Sequence, residues 1–396
     1  MKKRLLLFCL ALCMALPLCA CTSANVSQQD DDTEQENVVE GSDSAETPAQ
    51  LQMSELTDAD PVAVLEIPIY EDIPLADDEA LDVLDIGANT VLLAVNVESE
   101  LEQGLPRTKA LMIYEMDSRT ATTVERFTDI DLYVTSGRLV ENDYVYTAIL
   151  SANLVDVKGA VRRAGDSPWE FPFDAECADG EYLPEAFVMP SGDVVFVLCG
   201  EQDDDQNAFR VVSISSDGTA RVIFTPEDRT ARGFNTMMIP YQSGYMFRYA
   251  TKTGWQFCVG DEEGVSPFSD VIDCRAVYPW WACKDDVLLL AIGFGDDVNG
   301  ITSMHNAVVT REGAITHLGD LRFMRFTMGS SGKIAAVTSH WEQYLLAFEN
   351  NKLSAVRIDL PATATEFFRS GDGCLYAHLN SSRLGRVGLF KILESC

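Results

Sequence analysis

Basic residues are scarce in this sequence: 29 Lys and Arg stand against 62 Asp and Glu, a formal net charge of −33. Between residues 22 and 60 there is no Lys or Arg at all. So acidic a surface repels phosphate backbones and anionic headgroups, which argues against nucleic acid and against electrostatic docking to anionic lipid. Divalent cations, basic peptides and polyamines stay compatible with it, and excess acid also serves solubility. Histidine is nearly missing too. His305, His317, His340 and His378 are the only four, none stands in an H-E-x-x-H pattern, and none has a Cys partner at ligand spacing. A lone histidine on a strand is ordinarily packed or solvated. There is no G-x-S-x-G, no Walker loop and no G-x-G-x-x-G after a strand, so no catalytic motif names a reaction. Long helical periodicity is also absent; "DDEALDVL" (77–84) alone suggests one short helix.

What is present begins with an address. Lys2, Lys3 and Arg4 precede an apolar stretch from Leu5 to Pro17, followed by small residues. This is the layout of a secretory signal, and it is shorter than the roughly 20 apolar residues of a spanning helix. The tetrapeptide Leu18-Cys19-Ala20-Cys21 resembles a bacterial lipobox. The resemblance implies cleavage before Cys21 and a diacylglyceryl thioether on its sulfur, the best side-chain nucleophile for a lipid donor. The alternative is an ordinary signal peptide with an incidental cysteine. Residues 1–20 are thus expected to be a lipoprotein signal, and the mature protein to sit on the outer face of the bacterial cytoplasmic membrane, with a net charge near −36 once three basic residues leave. Residues 22 to 60 hold eleven Asp or Glu among Ser, Thr, Gln and Asn. Such a segment buries too little apolar surface to offset its chain entropy, so 21–60 is expected to be a disordered, lipidated tether.

From residue 61 to 396 one element recurs. "TVLLAVNV" (from Thr90), "DYVYTAIL" (Asp143), "GDVVFVLC" (Gly192), "GYMFRYAT" (Gly244), "DVLLLAIG" (Asp286), "GKIAAVTS" (Gly332) and "GCLYAHLN" (Gly373) each follow a turn signal. Each has the unbroken apolar character of a strand buried on both faces. The spacing is in the forties to low fifties, the period of a four-stranded blade. A strand precedes each turn ("EAFVMP", "NTMMIP", "LRFMRFTM", "TEFFRS"), and a hairpin with a positive-φ turn follows, as in "FRVVSISSDGTARVIF" and "QYLLAFENNKLSAVRI". The expected fold is all-β: a single propeller of seven four-stranded blades, with six or eight as alternatives. The unit around "NLVDVKGAVRRAG" is the poorest match. The last unit lacks one strand, which "VAVLEI" (62–67) can supply by pairing with "RVGLFKIL", closing the ring and covering an edge.

"GSSGKIAAVTS" (329–339) and "PSGDVVFVL" (190–198) are similar to the Ser-Pro-Asp-Gly turn and following strand of TolB and WD-repeat propellers. The resemblance covers residues 62 to 393 in pattern. Gly-His and Trp-Asp signatures are missing, as is the Thr-Gly-x-x-x-Trp signature of quinoprotein blades, so a quinone cofactor has no support. In such propellers ligands usually bind on the face made by the second–third turns and the blade-to-blade connections. The clusters "EQDDDQN" (201–207, with Asp203, Asp204 and Asp205) and "FGDDVNG" (294–300, with Asp296 and Asp297) fall there, as does "NVESELEQG" (96–104). The first two resemble fragments of calcium loops without completing one; the readings are solvated loops or a rim that attracts Ca²⁺. Trp280, Trp281, Trp341 and His340 are expected near the same face, either as platforms for a glycan, peptide or protein or as core. Blade topology brings Cys177 near Cys199, a candidate disulfide among seven cysteines past Cys21. Two functions follow: a membrane-anchored binding or scaffolding module, or a hydrolase or lyase acting on carbohydrate or lactone with channel carboxylates. An enzyme would gather polar side chains at the channel mouth.

Overall fold

The structure, a computed structural model, describes residues 59–97, 106–128, 132–140, 143–149, 159–163, 186–189, 191, 193–199, 209–215, 219–227, 238–261, 263–274, 276–284, 287–296, 300–311, 314–317, 323–338, 340–349, 352–381 and 386–396. All of them belong to one unit, Gln50–Cys396. Antiparallel sheets succeed one another along the chain. Blade 1 comprises Glu79–Ile86, Thr90–Val97, Arg107–Glu115 and Thr120–Arg126. Blade 2 comprises Tyr133–Val140, Asp143–Ile149 and Gly159–Arg163; blade 3, Ala186–Val188, Val194–Cys199, Phe209–Ile214 and Ala220–Phe224. Blade 4 is Ile239–Tyr241, Gly244–Ala250, Trp255–Gly260 and Val265–Pro267; blade 5, Ala276–Lys284, Val287–Asp296, Gly300–Thr310 and Ile315–His317. Blade 6 is Phe323–Met328, Lys333–Thr338, Gln343–Glu349 and Lys352–Arg357. Blade 7 takes Glu366–Arg369, Leu375–Ser381 and Arg386–Ile392 from the C-terminal end and Val64–Ile67 from the N-terminal end.

The chain is therefore an all-β propeller, and among the described residues it has six complete four-stranded blades and one three-stranded sheet, blade 2. The expected seven full blades are met in six; the shortfall falls on the unit with the weakest pattern, and residues 164–185 lie outside the described set. All seven recurrent apolar stretches are second strands. The physical reason shows in blade 1, where every residue from Val91 to Val97 is buried, while the fourth strand, Thr120–Arg126, is half-buried and exposed along its length. Second strands have a neighbouring blade on each face, so both faces must be apolar.

Burial is consequently distributed between the blades. Leu84, Leu92 and Leu111 of blade 1 pack on Leu132, Val134 and Tyr146 of blade 2. Phe187, Val195 and Phe209 pack on Tyr245 and Phe247 across blades 3 and 4. Equivalent wedges join blades 4 and 5, 5 and 6, 6 and 7, and 7 and 1. The helix expected at 77–84 does not form. Glu79–Ile86 is the first strand of blade 1, because Leu81 and Val83 alternate into the wedge with blade 7, which a strand satisfies. A bulge between Val83 and Asp85 then turns Asp85 toward blade 2, where it accepts the Leu139 amide at 2.8 Å. The one described helical turn is Ile69–Asp72.

Closure is as expected. Val64–Ile67 pairs antiparallel with the last strand, Val64 opposite Ile392 and Ile67 opposite Leu389. Val62 adds a parallel bridge to Ile358 of blade 6, and its carbonyl accepts the Asp359 amide at 2.9 Å. A disulfide between Cys374 and Cys396 holds the C-terminal residues beneath blade 7. Ser395 is fully buried there, its hydroxyl donating to the Ile392 carbonyl at 2.6 Å and accepting the Leu375 amide at 2.9 Å. At the same junction Gly373 has φ +86°, and a Cβ on it would stand 2.0 Å from the Ser330 hydroxyl, so only glycine serves.

Candidate functional site at the channel mouth

The topology sorts the turns onto two faces. First–second and third–fourth turns share one; second–third turns and blade-to-blade connections share the other. On the second face polar side chains from three blades converge. Asp82, from the first strand of blade 1, accepts the Asn96 amide at 2.6 Å on one oxygen and the Asn380 amide of blade 7 at 3.1 Å on the other. Asn96 in turn accepts the Thr108 hydroxyl at 2.7 Å, and Thr108 accepts the Val134 backbone N–H of blade 2 at 2.9 Å. A continuous chain of hydrogen bonds thus runs from blade 2 through blade 1 to blade 7. Asn96 and Thr108 are buried, and such a chain specifies one arrangement because every member is satisfied.

Around Asp82 the electrostatics are distinctive. Burial pushes its carboxyl above the usual range, and the two amides only partly oppose that. The Tyr133 phenol, at the start of the first strand of blade 2, is pushed up by burial and by the negative charges of Asp82 and Glu366. Glu366 opens the first strand of blade 7 and is exposed. Arg325, in the first strand of blade 6, donates to the Thr365 carbonyl; burial lowers its pKa and Glu366 partly restores it. Behind these groups, Tyr70 Oη and His378 Nε2 share a 2.7 Å hydrogen bond, with the rings stacked at 6.2 Å. Burial lowers the His378 imidazole to about 4, so it is neutral at pH 7. The histidine is packed, as a strand histidine ordinarily is.

The same face carries Trp341. It sits in the second–third turn of blade 6, 47% exposed, with φ +66°. A bulky residue in the left-handed region is an outlier that its surroundings must enforce. Thr338 enforces it here: its carbonyl accepts the Trp341 amide at 3.0 Å, and its hydroxyl accepts the amides of His340 and Glu342 at 3.3 and 3.2 Å. The Thr363 hydroxyl, from the connection into blade 7, donates to the Trp341 carbonyl at 3.4 Å. His340 is exposed beside the indole. Chemically the face offers a flat aromatic surface, carboxylates, a phenol donor and a guanidinium.

Of the other residues singled out in the sequence, Trp280 and Trp281 lie in the first strand of blade 5, with Trp281 opposite Leu290 and a register irregularity after Val277. They are strand residues, not turn residues, and their side chains lie outside the described set. Asp296 ends the second strand of blade 5 opposite Gly300, so its backbone is at the second–third hairpin. Cys199 ends the second strand of blade 3. Cys21, Cys177, Asp203, Asp204, Asp205 and Asp297 lie outside the described residues. Sequence reasoning missed Asp82, Asn380, Tyr133, Glu366 and Arg325, which form no short motif, and reached Asn96 only as the first residue of the segment 96–104. Their shared signal is positional: all sit near the mouth ends of blade strands. The Cys374–Cys396 pair was missed as well. Among the described residues no group of three or more His, Cys, Asp and Glu is placed to hold a metal, and no helix is long and apolar enough to cross a membrane.

Fold and face together define a propeller module with a polar channel mouth. No protein-family model matches the chain, and no curated protein matches it in sequence. Solved structures do match in fold. A puromycin-hydrolyzing peptidase from Mycobacterium tuberculosis aligns at 14% identity and a TM-score of 0.50, over 85% of this chain and 57% of its own. The β-propeller domain of the Trilobed protease from Pyrococcus furiosus aligns at 7% identity and 0.46, over 81% and 95%. An oligogalacturonate lyase in complex with manganese aligns at 10% and 0.40, over 71% and 97%. The chain thus spans little more than half the length of the mycobacterial peptidase.

Proposed function

We propose that this protein is an exported lipoprotein, anchored through Cys21 to the outer face of the cytoplasmic membrane, whose propeller binds a ligand on the face carrying Trp341 and the channel mouth. One observation carries the binding reading: an exposed indole held in a left-handed turn by three hydrogen bonds to Thr338. A half-exposed indole fixed by a strained turn suits a preorganised platform for a glycan, peptide or protein loop. The disulfide Cys374–Cys396 supports export, since such bonds persist in oxidising compartments. The test is an array of glycans and peptides probed with wild type and with Trp341→Ala. Ligands are expected to be retained by wild type and lost by the variant; identical profiles would remove the indole from the site. For the anchor, Cys21→Ala is expected to abolish detergent-phase partitioning in a lipoprotein-processing host.

A second reading, a hydrolase or lyase using channel carboxylates, draws on Asp82, whose raised pKa beside Tyr133 and Glu366 is an acid–base feature. Against it, both Asp82 oxygens are already held by amides that join two blades. Turnover of a carbohydrate or lactone that Asp82→Asn abolishes, with the fold intact, would favour the enzyme.

A further inference from the structure

Residues 393–396 occupy a seat on the face opposite the channel mouth, where three parts of the chain hold them. From the first–second turn of blade 6, the Ser331 hydroxyl donates to the Ser395 carbonyl at 2.8 Å and the Lys333 ammonium to the Glu394 carbonyl at 2.5 Å. The Leu393 amide donates to the Ala63 carbonyl at 3.0 Å, just before the strand that closes the ring. Within blade 7 the ladder between the second and third strands runs from Ser381 opposite Arg386 to Tyr376 opposite Lys391. The Ser395 hydroxyl extends it by one step, standing between the Leu375 amide at 2.9 Å and the Ile392 carbonyl at 2.6 Å. One covalent bond, Cys374–Cys396, fastens the segment in this place.

Three further features make the fastening releasable. The two half-cystines differ: Cys374 is buried and Cys396 is exposed, so a thiolate arriving from solvent meets the pair at Cys396. Glu394, inside the segment, has φ +64°, a left-handed conformation that a residue with a side chain keeps only while its surroundings hold it. Ring closure does not run through the segment, because Val64–Ile67 pairs with residues 389–392, which precede it. The free cysteines among the described residues, Cys258, Cys274 and Cys283, are all buried. Burial pushes the thiols of Cys258 and Cys274 up to about 12, so neither supplies an attacking thiolate at neutral pH. Exchange at Cys374–Cys396 therefore takes a thiol from outside the protein.

We propose that residues 393–396 are a redox-sensitive clasp: a dithiol reduces Cys374–Cys396, and the segment leaves its seat while the ring stays closed. One thiolate of the dithiol attacks the Cys396 sulfur, forming a mixed disulfide, and Cys374 departs as a thiolate that takes up a proton. The second thiol of the dithiol then displaces Cys396. Two electrons and two protons pass to the protein, which gains two thiols, and the dithiol ends as a disulfide. Release uncovers the Leu375 amide, the Ile392 carbonyl and the Ser331 hydroxyl. The clasp stands apart from the ligand face and does not depend on what binds at Trp341. The test is hydrogen exchange of the intact protein in detergent, oxidised and after dithiothreitol. On reduction the Leu375 amide is expected to exchange at least tenfold faster, while the amides of Val64–Ile67 keep their rates. A second measurement is the equilibrium with dithiothreitol in wild type and Ser395→Ala. The variant is expected to shift at least threefold toward the thiol form, because the Ser395 hydrogen bonds exist only while the segment is seated. If the segment stayed seated after reduction, the substitution would act on both forms alike and the equilibrium would not move. A disulfide that dithiothreitol opens only in denaturant, a Leu375 amide that stays protected, or an unshifted Ser395→Ala equilibrium overturns the proposal. So does exchange at Val64–Ile67 that rises with Leu375, which would make the bond a staple of the whole blade.

Discussion

Trp341 and His378 show how the fold treats single residues in opposite ways. Trp341 carries a backbone conformation that glycine adopts freely, so Trp341→Gly relieves a cost of roughly 1–3 kcal/mol while raising the entropy of the unfolded chain. Stability measured by urea titration is expected to stay within about 1 kcal/mol of wild type, while ligand retention is lost. A larger loss would mean that the indole is a packing residue. His378 is buried and neutral, with a folded pKa of about 4 against an ordinary value of 6.5. Above pH 6.5 both states are neutral there and the residue carries no pH penalty. As pH falls below 6.5 the unfolded chain takes up the proton and the folded one does not, so stability drops until about pH 4, by on the order of 3 kcal/mol in all. Asp82 and Asp85 act the other way, because their raised pKa values make the folded state the better proton acceptor. The comparison that isolates the histidine is wild type against His378→Gln between pH 7 and pH 5, where the variant is expected to lose less. Equal slopes would contradict it.

At the scale of elements, the ring is held shut in two ways that truncation and mutation can separate. Val62 and Ile67 are buried, and Val64–Ile67 completes blade 7. Deleting residues 22–60 is expected to leave thermal stability nearly unchanged, because a composition so poor in apolar residues has little surface to bury. Extending the deletion through residue 67 removes two buried side chains, at roughly 1.5–3 kcal/mol each, and reopens an edge. Indistinguishable melting temperatures for the two truncations would contradict the closure. The disulfide spans a sequence separation of 22 residues, for which chain entropy predicts about 3 kcal/mol. The double variant Cys374→Ser/Cys396→Ser is expected to lose about that much in a denaturant titration; no loss would show that the pairing is idle in the folded state.

Across the whole molecule the dominant fact is charge. With 62 acidic and 29 basic residues, self-repulsion opposes the compact state, and salt relieves it. Melting temperature is expected to rise with NaCl, and to rise further in Ca²⁺ than in NaCl of equal ionic strength if the acidic sequence clusters at 201–207 and 294–300 gather cations. That extra shift should vanish in Asp203→Asn/Asp205→Asn and persist in Asp30→Asn/Asp31→Asn. A Ca²⁺ shift matching NaCl reduces the effect to screening.

Much of this architecture was legible in the chain because its signals are local. A buried second strand must be apolar on both faces, so "TVLLAVNV" or "GYMFRYAT" announces itself within eight residues, and the turn before it needs small or polar residues. Seven repeats at one period leave few folds but a propeller, and the strand missing at one end matched the spare strand at the other. The helix misread at 77–84 shows the limit of local signals: Leu81 and Val83 are claimed by a wedge whose other wall is some 300 residues away in the chain. The same limit hid the channel mouth. Asp82, Asn380 and Tyr133 each read as an ordinary polar residue in a strand, and only ring closure brings blade 7 back to blade 1 so that Asn380 reaches Asp82. Which cysteines pair was decided the same way, by the C-terminal residues folding under blade 7 to carry Cys396 to Cys374. Sequence determined the blades because burial acts on neighbouring residues; tertiary structure alone decided the sites, because a propeller builds them from strand ends that meet only when the circle is complete.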